Sequence, residues 1–93
     1  MRYEVQVRDV AQGDLDELPR NIQVRLIRAV EQRLTTAPNH YGVRLRQSLS
    51  GLWKVRVGDY RIVYDLTGRT VTIWAIRHRK QVYPIVGRRW LRA

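Results

Sequence analysis

The side chains in this sequence best suited to chemistry on an anion crowd into its second half. They are Lys54, Arg56 and Arg61, then Arg77, His78, Arg79 and Lys80, then Tyr83. A guanidinium keeps its charge at any working pH and offers a planar fork of donors that matches a phosphate. An aromatic ring among arginines is what stacking of an unpaired base requires. Each residue alone has a plainer explanation. His78 suits a wet surface, Tyr83 suits a core or its rim, and charged strand residues are usually solvated. The combination raises an RNA contact above those readings.

The charge map points the same way. The 93 residues carry a formal net charge of +10. Up to Val43 there are six arginines and six carboxylates, so that half is neutral. From Arg44 onward there are twelve basic residues against Asp59 and Asp65 alone. Of the 18 basic residues, 16 are arginine. A GC-rich genome would explain a preference for arginine over lysine, but not the asymmetry between halves. A polyanionic partner would explain it, with nucleic acid first.

Several other chemistries have no support. There is no cysteine, and His40 and His78 lie far apart outside any metal-ligand motif, so neither a metal nor a cofactor is expected. No glycine-rich phosphate loop, nucleophile elbow or catalytic pair of carboxylates is present. Asp14, Asp16 and Glu17 fall early in the first expected helix, where acids favour the helix dipole. The sequence has no apolar run of about 20 residues for a membrane span and no signal-peptide pattern. The expectation is a cytoplasmic protein with one domain over residues 1–93.

The elements that must position these groups follow from periodicity. Tyr3 to Val7 alternates as a strand. Leu15, Leu18, Ile22, Leu26, Val30 and Leu34 recur at helical spacing, interrupted by Pro19. Proline belongs in a first helical turn and not in an interior. The run therefore splits into helices over about Val10–Leu18 and Arg20–Thr35. Thr36 to Gly42 reads as a loop, and Val43 to Leu49 has no clear pattern. Strands follow at Leu52–Val57, Tyr60–Leu66 and Arg69–Arg77. Gln81 to Ala93 fits a strand, a helix or neither. This order predicts an α+β fold: an N-terminal strand, a helical hairpin, then an antiparallel meander of three or four strands with helices on one face.

Gly58-Asp59 is a two-residue turn of the kind hairpins use. Closing the hairpin there pairs Arg56 with Arg61, Lys54 with Val63 and Trp53 with Tyr64. Trp53, Val55, Val57, Tyr60, Ile62 and Tyr64 then share the core face, and Lys54, Arg56, Arg61 and Val63 share the other. The long helix is expected to bury Ile22, Leu26, Val30 and Leu34 against Val55, Ile62, Tyr64, Val71 and Ile73. Arg56 opposite Arg61 is destabilising on its own. A bound anion would turn that repulsion into hydrogen bonding; a solvated strand face is the alternative.

The run from Leu49 to Tyr64, Leu-Ser-Gly-Leu-Trp-Lys-Val-Arg-Val-Gly-Asp-Tyr-Arg-Ile-Val-Tyr, resembles the central block of the RelE/ParE family of bacterial toxins. Ile76 to Tyr83 is similar to that family's closing motif. The resemblance implies a toxin of a type II toxin–antitoxin system and a cognate antitoxin partner, whose acidic segment would lie over the basic half. RelE-type members cut messenger RNA on the ribosome without metal. By that resemblance Lys54, Arg56, Arg61, Arg79 and Tyr83 form the candidate catalytic set, with Arg77 competing with Arg79. Arg44, Arg46, Arg77, His78 and Lys80 are candidate RNA contacts.

Such cleavage uses the 2′-hydroxyl against its own phosphate. Lysine loses its proton more readily than arginine. Lys54 is therefore cast as the base, Arg56 and Arg61 as phosphate holders, and Arg79 as the group that stabilises or protonates the leaving oxygen. Tyr83 would stack on a base. Arg56 departs from the lysine common in the family at that position, which limits it to electrostatics. A ParE-like gyrase inhibitor and a non-toxic nucleic-acid-binding module are the rival readings.

Overall fold

The structure is a computed structural model that describes residues 2–92. The first strand, β1 (Glu4–Val7), leads into α1 (Asp9–Asp16) and α2 (Arg20–Ala29). Pro19 sits at the N-cap of α2, where its missing N–H costs nothing, and its carbonyl accepts from the Ile22 and Gln23 amides. Gln23 Nε2 turns back to the Leu18 carbonyl at 2.9 Å and fixes the bend between the helices. Beyond Ala29 the helix widens into a π turn over Val30–Leu34, which delivers Leu34 to the core.

The stretch expected as a loop contains a short helix, α3 (Pro38–Tyr41), which opens on Pro38 as a first-turn proline. Tyr64 donates its hydroxyl to the Pro38 carbonyl at 2.7 Å. A Cβ on Gly42 would land on that hydroxyl, so the close approach requires glycine. The two-residue strand β2 (Val43–Arg44) and a 3₁₀ turn at Gln47–Leu49 precede β3 (Leu52–Val57), β4 (Tyr60–Thr67) and β5 (Thr70–His78). Gly58 has φ +61°, the positive value that a hairpin turn places at its first central residue.

The register between β3 and β4 is the expected one: Arg56 faces Arg61, Lys54 faces Val63 and Trp53 faces Tyr64. The sheet is wider than the meander. Its order is β1-β5-β4-β3-β2, with β1 joining parallel to β5 at one edge and β2 antiparallel to β3 at the other. The tail forms a helix, α4 (Val82–Leu91). Pro84 is tolerated because it falls in the first turn, where no intrahelical bond is lost.

The two hairpin helices share one face of the sheet as expected, and α4 adds a helix on the other. Leu26, Leu34, Val55, Ile62, Tyr64, Val71 and Ile73 are buried between α1, α2 and the sheet, with Ile22 and Val30 packed against them as expected. A second core forms on the opposite face. There Val82 and Val86 of α4 pack on Leu52, Val63, Trp74 and Ala75. A bulge opposite Val63 and Tyr64 shifts the register with β5 there. The face that carries Lys54 and Arg61 is thus roofed by a helix.

Candidate nucleic-acid interface

Lys54 projects from the middle of β3 towards the start of α4 and meets Tyr83 there. Its Nζ lies 3.2 Å from the Tyr83 hydroxyl and 5.5 Å from the ring centre. Both side chains are half-buried. Lys54 stands beside Val63, and Tyr83 is one residue beyond Val82, so the second core brings the pair together.

The row next to Lys54 on this face is cationic. Arg56, Arg61 and Arg77 are direct neighbours across β3, β4 and β5. The Arg56 side chain is exposed, and among the described residues it has no ion-pair partner, while its carbonyl accepts from Arg33 Nη1 at 2.8 Å. Arg61 corrects the picture of an exposed strand charge. It is only 7% exposed, and its Nη1 donates to the Tyr60 carbonyl at 2.8 Å and the Gly58 carbonyl at 3.0 Å. These bonds fix the guanidinium against the hairpin turn.

Arg77 and Arg79 part company. The Arg77 Nε sits 3.0 Å from Asp14 Oδ1, drawn towards α1. Arg79 is exposed, and its amide donates to the Asp59 carbonyl at 2.8 Å, which anchors the residue at the hairpin tip beside the Arg61 turn. Lys80 is exposed in the same turn. His78 pairs with Tyr60 on the opposite face, its ring edge-on at 5.8 Å, so it is not part of the Lys54 face. Arg44 lies over Trp53 at 4.9 Å, also on the opposite face, and Arg46 is exposed before the 3₁₀ turn. Two of the candidate RNA contacts therefore face away from the cluster.

The acids of α1 are not at its start. Asp14 and Asp16 occupy the last turn and Glu17 is the C-cap, where the helix dipole is unfavourable to them. Asp14 is 4% exposed and has a different role. β1 ends at Val7, which leaves the end of β5 without a neighbouring strand on that side. Asp14 Oδ2 accepts the Ile76 amide at 3.1 Å, and Arg89 of α4 donates to the Trp74 carbonyl at 3.0 Å. Arg89 also holds both Asp14 oxygens, at 2.7 and 3.0 Å. The pair replaces the missing ladder bonds and ties α4 to the sheet. Sequence reasoning missed it because the tail's structure was open. Among the described residues no group of histidine and carboxylate side chains is placed to hold a metal, and no helix is long and apolar enough to cross a membrane.

A mixed five-stranded sheet with a helical hairpin on one face and a C-terminal helix over a basic row on the other defines a RelE-like α+β protein. Residues 5–83 match the family described as the ParE toxin of type II toxin–antitoxin systems. The toxin RelG of Mycobacterium tuberculosis is 32% identical over 85 residues, 89% of this chain and 98% of RelG. The RelBE2 toxin–antitoxin complex of the same organism contains a chain that superposes with a TM-score of 0.81 at 31% identity, covering 85% of this chain and all of that one. A mutant Escherichia coli toxin RelE in the free state shares the fold, with a TM-score of 0.74 at 18% identity over 96% of this chain and 98% of its own. The chain belongs to the RelE/ParE family of toxins of type II toxin–antitoxin systems.

Proposed function

We propose that this toxin is an endoribonuclease that cuts messenger RNA, engaged on the ribosome, through a metal-free transesterification. The observation that carries the reading is the 3.2 Å contact between Lys54 Nζ and the Tyr83 hydroxyl beside the Arg56–Arg61–Arg77 row. A gyrase-binding surface has no evident need for a lysine and a tyrosine converging next to fixed guanidinium groups.

In this reading the 2′-oxygen attacks the adjacent phosphorus and the 5′-oxygen departs. Lys54 takes the hydroxyl proton. Arg61, held by two backbone carbonyls, is a preorganised cation that needs no rearrangement as charge builds on the phosphorane. Arg56 adds electrostatic attraction from the exposed end of the row. Arg79, at the hairpin tip, hydrogen-bonds the departing oxygen, which takes its proton from water to leave as a 5′-hydroxyl, and Lys54 returns its own proton to solvent. Tyr83 holds Lys54 and stacks on a base. The ribosome supplies the in-line geometry, a positioning effect worth several kcal/mol. A cognate antitoxin with an acidic segment is the partner in this reading. The RelBE2 structure, itself a toxin–antitoxin complex, and the +10 charge support it.

The test is cleavage of a ribosome-programmed messenger by purified protein. Wild type is expected to leave 5′-hydroxyl ends, and Lys54→Ala to lose at least a hundredfold in rate. The matching family is described as ParE, and the ParE resemblance supports a second reading, gyrase inhibition. An intact messenger together with inhibited DNA supercoiling would select it.

A further inference from the structure

A cleft of about 320 Å³ opens beside the C-terminal half of α4, lined by Arg77, Ile85, Arg88, Arg89 and Arg92. We propose that this cleft is a second phosphate-binding subsite, which takes the backbone of the same single RNA strand beyond the position cut at Lys54. The proposal rests on the ribonuclease reading for the identity of the strand.

Charge is the first argument. Four guanidinium groups line the cleft, and only two of them, Arg77 and Arg89, reach a carboxylate, Asp14. Arg89 engages both of its oxygens, and the Ile76 amide takes a further lone pair. Arg77 Nε comes within 3.0 Å of Oδ1, yet it is buried without an aligned hydrogen bond. The carboxylate is spent on Arg89. Arg88 and Arg92 are exposed and have no ion-pair partner among the described residues. An anion in the cleft would supply the acceptors that Asp14 cannot.

Direction is the second argument. Arg77 is the last member of the strand row that begins at Arg56 and Arg61. It also forms a wall of the cleft, so the strand row and the cleft meet at Arg77. A polymer with a charge at every repeat can follow both segments; a small anion occupies only one. The helix dipole favours basic residues in the last turn of α4 and accounts for Arg88 and Arg89. It does not account for Arg77, which comes from a strand. Ile85 is the one apolar side chain in the lining, which suits a sugar face better than an apolar ligand.

The experiment measures binding of a short fluorescent single-stranded oligoribonucleotide over a salt series. It compares Arg88→Ala with Arg92→Ala, combined, against Arg20→Ala with Arg28→Ala, combined. The second pair is equally exposed and equally basic, on α2 across the sheet. Tryptophan fluorescence from the Trp74–Trp90 pair, in edge contact at 4.9 Å, reports that α4 stays docked. The cleft variant is expected to bind about tenfold more weakly. Its log–log salt slope should be shallower by about 1 to 1.5, at about 0.7 per phosphate contact on a single strand. The α2 variant should bind as wild type does. Equal losses in both variants, or no loss in either, overturn the proposal. A loss confined to poly-glutamate, with RNA affinity intact, assigns the cleft to an acidic polypeptide and overturns it as well. RNA binding that depends on Arg88 and Arg92 in a protein that cuts no messenger keeps the subsite and defeats the ribonuclease reading.

Discussion

Asp14 and Arg89, 75 residues apart in sequence, form a two-pronged ion pair across the open end of β5. The same side chains take the Ile76 amide and the Trp74 carbonyl, so they serve as hydrogen-bond partners of the strand and as the anchor of α4. α4 carries Tyr83, which links this anchor to the candidate site.

The two truncations of that pair should differ. Asp14→Ala leaves the Arg77 and Arg89 guanidinium groups facing each other and orphans the Ile76 amide. Breaking a buried pair in this way costs about 3 kcal/mol or more. Arg89→Ala leaves Asp14 with Arg77 Nε still 3.0 Å away, and its cost should be smaller, about 2 kcal/mol. At about 4–8 °C per kcal/mol for a domain of this size, thermal melting should separate the two. Equal shifts would show that Arg77 does not compensate.

Arg61→Ala tests a residue whose depth could not be read from alternation. Losing two hydrogen bonds to carbonyls at the hairpin turn costs about 1–2 kcal/mol. Relief of repulsion from Arg56 and Arg77 offsets part of that. The net change in melting temperature should be only a few degrees. In the ribonuclease reading, messenger cleavage should fall about a hundredfold, because a fixed donor to the transition state is gone. A variant that melts normally and cuts normally would remove Arg61 from the site.

The hairpin was legible because two independent signals fix one register: the Gly58-Asp59 turn and the alternation on both strands. The two-helix split was legible because Pro19 admits few placements. Three features were not. Pairing of β1 with β5 is long-range, with Glu4 beside Thr70, and nothing in Tyr3 to Val7 names its neighbour. Val82, Val86 and Trp90 have helical spacing, but Pro84 and Gly87 between them argue against a helix until the first turn is located. Alternation assigned Arg61 to the correct face, but it says nothing about a side chain curling back under the turn. The family resemblance points to Lys54 and Tyr83; the roof formed by α4 supplies the physical reason they meet.

Tyr64 should make the fold sensitive to alkali. Burial pushes its phenol well above the ordinary value of 10.0, so the folded chain holds the proton more tightly than the unfolded one. That contribution is fully present below about pH 10, and it is lost as pH rises towards the folded value. Tyr64→Phe removes one of two donors to the Pro38 carbonyl, which keeps the Gly42 amide at 3.1 Å, at a cost of about 0.5–1.5 kcal/mol near neutrality. The difference in unfolding free energy between wild type and Tyr64→Phe, followed by denaturant titration, should shrink above pH 10. A constant difference would mean that the phenol ionises equally in both states.

The most direct test of the ribonuclease account is to map new 5′ ends on cellular transcripts after induction, with plasmid supercoiling followed in the same cultures. Wild type, Lys54→Ala and Tyr83→Ala should be compared at matched levels of folded protein. The account predicts abundant new ends within coding regions for wild type, their loss together with growth arrest in both variants, and unchanged supercoiling throughout. Growth arrest that persists in both variants, with intact transcripts and altered supercoiling, would contradict it.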